Sequence, residues 1–298
     1  MRDGLRVSIT LSGLARLFGE RLSAVVELAA AAEAAGIDQI AVPDHLAIGP
    51  RTDKYPYGRF PLPVDEPWLE PLTLLAAMAG ATKRIRLATG VLIAPLRPAL
   101  LLAKTAATLD VLSDGRLDLG VGVGWQREEF DANGTPFAGR SKRLDDQLRA
   151  CRALWSGGPV SFRSATVSFQ DLVCLPRPLQ AGGPPLWLGM AANEENAQRS
   201  AELGAGWLPM ETDPAEIARG VALLRAAYAR AGRDPLTLGV RANAPVANDA
   251  AGKPSLSATL AALPRLRDAG ITVAGFALAR FVRSRDEIPG FLARLAGR

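Results

Sequence analysis

The sequence holds a single histidine, His45, and two cysteines, Cys151 and Cys174. One imidazole excludes the zinc hydrolases that need two or three histidine ligands. It also leaves one imidazole for proton transfer near neutral pH. The cysteines form neither a metal nor a redox spacing, and no disulfide framework. Cys151 falls on the apolar face of a predicted helix and reads as core. Long apolar runs are missing too. The best, Val91 to Ala103, is short and broken by Pro95, Arg97 and Pro98, which excludes a spanning helix. Ser8, Thr10, Ser12 and Gly13 interrupt any signal-peptide core. The expectation is a cytoplasmic protein with no membrane partner. Of the 35 basic residues only five are lysine, and the arginines are scattered. No basic block interleaves with aromatics, so nucleic acid is not an expected partner. A P-loop and a G-x-S-x-G elbow are both absent.

What is present fits a large α/β fold. The chain has 298 residues, 48% hydrophobic and 22% charged, enough for one barrel of about 250 residues. Length alone also allows two average domains. The formal charge of +5 is either an arginine-rich composition or an attraction for an anionic ligand. A local pattern recurs at Ala35-Gly36-Ile37, Leu203-Gly204-Ala205 and Ala269-Gly270-Ile271. A helix ends in glycine, which takes the left-handed cap conformation without a Cβ clash, and a buried strand follows. Such alternation argues for βαβ units and a parallel sheet.

Periodicity predicts strands near 5–11, 37–42, 85–93, 117–121, 185–189, 205–209, 236–243 and 272–278. Helices are predicted near 20–35, 69–82, 97–112, 141–156, 193–203, 213–231, 255–268 and 285–296. In the helix at 141–156, Leu144, Leu148, Cys151 and Trp155 share one face. Pro264 should kink or break the helix at 255–268. Eight strand–helix units predict a closed (β/α)8 TIM barrel, a single domain over 1–298. Two stretches exceed a minimal barrel and read as insertions, near 48–68 and 157–184. The second contains a candidate hairpin at Ser161–Phe169.

Active sites of such barrels lie where the strands end at the C-terminal face. Strand two ends at Pro43-Asp44-His45, strand three at Thr89-Gly90-Val91, and strand four at Gly120 to Trp125. His45 is either a structural histidine beside Asp44 or the acid–base group; its place at a strand end favours the second. Gly120, Gly122 and Gly124 fail the dinucleotide fingerprint, because its third glycine falls on Trp125. They suit close backbone approach to a flat ligand or to a neighbouring strand. Gly189-Met190-Ala191-Ala192-Asn193 leads from a strand into a helix, where free N–H groups and the helix dipole favour an anion. In the first insertion, Tyr55, Tyr57, Phe60 and Trp68 offer flat apolar surface, and Arg51 and Arg59 offer anion contacts. Long loops at a barrel mouth tend to be functional, so a substrate-side lid beside His45 is expected.

At these residues the chain resembles the luciferase-like monooxygenase superfamily, with the coenzyme F420-dependent branch nearest. The resemblance is carried by RIRLATGVLIAPLRPALLLAKTAATLDVLSDGRLDLGVGVGWQREEF at 84–130, GIDQIAVPDHL at 36–46, RLDDQLRACRALWSGGPVSF at 143–162 and PPLWLGMAANEENAQRSAELGAGWLP at 184–209. It implies a luciferase-like (β/α)8 barrel, a homodimer, and a flavin-type ring over the barrel mouth. By that resemblance Asp44 and His45 match the strand-two motif, with His45 catalytic near the reactive ring. Thr89, Gly90 and Val91 match a bulge that backs the ring, where several relatives carry a non-prolyl cis peptide. Gly189, Met190, Ala191 and Ala192 match the phosphate turn, and Gly124 joins them on the cofactor side. Trp125 stands where some sugar-phosphate dehydrogenases of the superfamily carry a catalytic glutamate, with Glu128 and Glu129 further on. It is assigned, with Tyr55, Tyr57, Arg59 and Phe60, to the substrate. The phosphate turn also lacks the Gly-Gly-Ser-Ser of many relatives. The resemblance thus implies an oxidoreductase moving a hydride to or from a small organic substrate, with F420 ahead of FMN as cofactor and no metal. The alternatives are an FMN-dependent two-component monooxygenase fed by a partner flavin reductase, and a flavin-binding protein without catalysis.

Overall fold

A computed structural model describes residues 4–297. Its strands are β1 Arg6–Thr10, β2 Gln39–Val42, β3 Arg86–Thr89, β4 Leu92–Ile93, β5 Leu117–Gly122, β6 Val160–Arg163, β7 Ser168–Leu172, β8 Leu186–Gly189, β9 Gly206–Leu208, β10 Gly239–Asn243 and β11 Val273–Ala277. These strands all pair in parallel except in the β6–β7 hairpin. The order β1-β2-β3-β5-β8-β9-β10-β11 closes on itself, since β11 pairs with β1 from Arg6↔Val273 to Thr10↔Ala277. Strand β4 continues the β3 position and pairs with β5. This is the expected closed (β/α)8 barrel, and the hairpin in the second insertion lies at the expected place. No helix among the described residues is long and apolar enough to cross a membrane.

The helical face read from Leu144, Leu148, Cys151 and Trp155 is buried. Trp155 Nε1 donates to Ala103 O at 3.0 Å, tying the helix Arg140–Leu154 to the helix Ala99–Leu112. Burial pushes the Cys151 thiol far up, so it stays protonated as a small apolar group. As Pro264 requires, the stretch 255–268 divides into Leu256–Ala261 and Leu263–Asp268. The segment 85–93 is not one strand. It breaks at the Gly90–Val91 bond, which is cis.

The repeated glycine pattern has two physical causes. Gly36 and Gly270 have φ of +84° and +90°, the left-handed caps expected. Gly204 does not: its φ is −86°. Glycine is needed there because a Cβ would stand 2.9 Å from Ser200 O. The strand-four glycines are likewise explained by neighbouring chain. A Cβ on Gly120 would lie 2.1 Å from Thr89 O, and one on Gly122 2.8 Å from Val91 Cγ2. Inside the barrel, Trp187 fills the space left by Gly206 and Gly239, where a Cβ would come within 2.2 and 2.5 Å of its ring.

Candidate active site

The C-terminal ends of the strands open into a cavity of about 950 Å³, at the upper end of the range for small-molecule sites. His45 is on its wall, buried, just past the end of β2. Its Nδ1–H donates to Glu129 Oε2 at 3.1 Å. A carboxylate can only accept here, so this contact fixes the tautomer. Nε2 is then the nitrogen available to give or take a proton, and it makes no hydrogen bond to the described residues. Glu129 is itself buried, and its Oε1 accepts from Leu46 N at 2.5 Å.

Glu129 lies on a short helix, Arg127–Ala132, just after β5. Sequence reasoning noted the Glu128-Glu129 pair but gave neither a role. Phe130 beside Glu129 is fully buried, so the helix must turn part of this acidic pair inward. Only that turning places one carboxylate under His45. The aromatic insertion is held over the same strand end. Gly49 N donates to Gln126 Oε1 at 2.8 Å, and Gln126 Nε2 donates back to Gly49 O at 3.0 Å. Tyr55, Tyr57, Phe60 and Trp68 thereby reach the cavity wall with Trp125. Tyr55 packs edge-on against Trp125 at 5.2 Å between centroids, and Trp68 edge-on against His45 at 4.8 Å. Such geometry is the favoured one for aromatic rings. Burial pushes the Tyr55 phenol up, keeping it a donor. The insertion lies on the His45 side of the cavity.

Asp44, Gly90, Val91, Gly124 and Gly189 also line the cavity. The Asp44 carboxylate is already committed: Arg97 donates to it at 2.6 and 3.0 Å, and Ile93 N at 2.8 Å. Asp44 therefore braces the wall. The structure does not bring Thr89, Met190, Ala191, Ala192 or Arg59 to the lining. The Thr89 hydroxyl donates to Gly120 O at 2.6 Å. Met190 O accepts from Trp207 Nε1, and Ala191 O from Asn196 Nδ2. The helix that follows begins with Glu194 and Glu195 and is capped by its own Asn193, which weakens that turn as an anion site. Arg59 is exposed. The cations that do line the cavity are Arg16, Arg140, Arg241 and Arg280, and the sequence reading missed all four. Arg241 carried a signal, a charge inside the apolar run at 238–242.

A flat, polar, electron-rich ring fits this set of residues. The volume suffices, the wall combines glycine backbone with Val91, and the Trp68 indole N–H is buried without a partner. Glu129→Gln should lower turnover about 10- to 100-fold. A carboxylate accepts from both Leu46 and His45, whereas an amide turns a donor toward one of them. The loss is expected in kcat with KM little changed; an unaltered kcat would remove Glu129 from the mechanism.

Residues 5–268 match the family described as luciferase-like monooxygenase. An uncharacterised protein of Mycobacterium tuberculosis is 33% identical over 271 residues, covering 90% of each chain. The F420-dependent hydroxymycolic acid dehydrogenase of the same organism is 33% identical over 226 residues, 74% of this chain and 58% of that one. In fold, the monooxygenase RslO1 of Streptomyces bottropensis is similar with a TM-score of 0.75 at 20% identity, over 98% of both chains. The chain belongs to the luciferase-like monooxygenase family.

Proposed function

We propose that the protein is an F420-dependent oxidoreductase that moves a hydride to or from a small, largely apolar organic substrate. The observation that carries this is the His45–Glu129 pair facing one large cavity walled by aromatic rings. The family supplies the redox class, and the similarity to an F420-dependent dehydrogenase favours the deazaflavin. The cofactor, when bound, supplies the hydride chemistry. The chain does the rest. Arg16, Arg140 and Arg280 attract the anionic tail at the mouth. Tyr55, Phe60, Trp68 and Trp125 exclude water and take the apolar part of the substrate. His45 Nε2 gives or takes the proton that must accompany hydride transfer at a carbonyl or alcohol, and Glu129 holds that ring.

Titration of the purified protein with F420 and with FMN tests this reading. F420 is expected to bind in the micromolar range, on the order of −8 kcal/mol, and more tightly than FMN. Tighter FMN binding would favour the two-component monooxygenase, which needs a partner reductase. Binding of neither would end the reading.

We further propose a homodimer working in the cytoplasm, where the buried thiols Cys151 and Cys174 stay reduced. Leu100, Leu101 and Leu112 on the helix Ala99–Leu112 are exposed, as are Val173, Leu175 and Leu179. The two segments are tied together: Lys104 Nζ donates to Leu175 O, and Leu179 N donates to Asp110 Oδ2 at 2.8 Å. A grouped apolar surface of this kind supports an interface there. Sedimentation at micromolar concentration should show a dimer, and Leu101→Glu should shift it toward monomer. A wild-type monomer would contradict the assignment.

A further inference from the structure

Arg241 is a buried cation with no ion-pair partner among the described residues. It sits in the middle of β10, is 5% exposed, and lines the cavity. Its Nε donates to Ser8 Oγ at 3.2 Å and its Nη2 to Thr10 Oγ1 at 2.7 Å, both neutral groups. No carboxylate among the described residues makes an ion pair with it. Asp118, the carboxylate whose field reaches it, is already taken. Arg86 donates to Asp118 at 2.7 and 2.8 Å and Gln39 Nε2 at 2.7 Å. Asp118 and Arg86 form a neutral pair, and Arg241 adds one uncompensated charge. Burial pulls its pKa down to about 10, which still leaves it charged at neutral pH. A buried charge is retained at such cost only where something compensates it.

The position of the guanidinium says what can do so. A Cβ on Gly90 would stand 3.3 Å from Arg241 Nη1, so glycine at the β3–β4 break gives this nitrogen its room. His45 and the aromatic lid belong to the β2 and β5 ends of the site, whereas Arg241 belongs to β10 and bonds across to β1. Taking the cavity as the cofactor site proposed above, we propose that Arg241 binds the electron-rich pyrimidine edge of the flavin-type ring and stabilises its reduced, more negative state. Arg241 then sets the direction in which the bound cofactor is poised: a cation beside this edge favours the reduced form. Charge-assisted hydrogen bonds are about twice as strong as neutral ones, so the preference should be large enough to measure without any substrate.

The test is the ratio of dissociation constants for oxidised and reduced F420, measured anaerobically, with oxidised and reduced FMN as a second probe. In the wild type the reduced form should bind at least about tenfold more tightly, which for a two-electron couple raises the bound potential by about 30 mV. Arg241→Met, similar in size and apolar, should lose that preference while still binding the oxidised form. Arg241→Lys should keep part of it. If the wild type binds both forms equally, the inference is overturned even should the methionine variant fail to fold. An unchanged ratio in Arg241→Met with a raised KM would also overturn it, since the cation would then serve a substrate carboxylate. A wild type that binds neither cofactor would overturn the proposed function, and this inference with it.

Discussion

Replacing His45 by alanine is expected to lower turnover at least about 100-fold while leaving folding and F420 affinity nearly unchanged. Among the described residues the ring makes one hydrogen bond, to Glu129, and that carboxylate keeps its Leu46 N–H donor when the ring is gone. The space vacated opens onto the cavity, so no sealed void is left inside the core. The proton partner of hydride transfer is lost, and the chain has no second histidine to replace it. The assay is anaerobic loss of reduced F420 against ketones, aldehydes and activated alkenes, read beside melting temperature and cofactor affinity. A variant that melts early but keeps its rate per folded molecule would make His45 part of the scaffold.

Asp44→Ala should act on stability, at about 3–5 kcal/mol, or on the order of 10 °C in melting temperature. Arg97 is buried and donates to both Asp44 oxygens. Removing that carboxylate leaves the cation with the Glu70 carboxylate at 2.8 Å and a long contact to Ile93 O at 3.4 Å. The Ile93 N–H loses its acceptor as well. Burial alone pushes the Glu70 carboxyl up, but Thr73 N–H and Arg97 hold it below the usual carboxylate range. Its contribution is therefore present above the unfolded pKa, and is lost as pH falls through the lower folded value. A folded Asp44→Ala variant with unchanged melting temperature and weakened F420 binding would mean that the carboxylate touches the ligand instead.

The barrel was legible in the sequence because its signals are local. Glycine caps at Gly36 and Gly270, the buried stripe through Leu144 and Cys151, and the break at Pro264 each follow from a few neighbouring residues. His45 was legible because strand ends carry the chemistry in this architecture. Glu129 was not, because its inward turn depends on a short helix whose register is set by Phe130 packing in the core. Nor was the reason for Gly120 and Gly122, which lies in Thr89 and Val91 on another strand. The turn at Met190–Ala192 looked like an anion site from its small residues. Its orientation is fixed by Trp207 and Asn196, contacts that no local pattern announces. Arg241 stands between these cases: the odd charge was visible, but its lack of a carboxylate partner was not.

Co-crystallisation with F420 measures the central relation directly. The expected result is the deazaflavin ring inside this cavity, against Gly90 and Val91, with its reactive edge toward His45 Nε2. The tail should run out past Arg16, Arg140 or Arg280. A ring bound elsewhere on the molecule, or a cavity that stays free of F420 at saturating concentration, would contradict it.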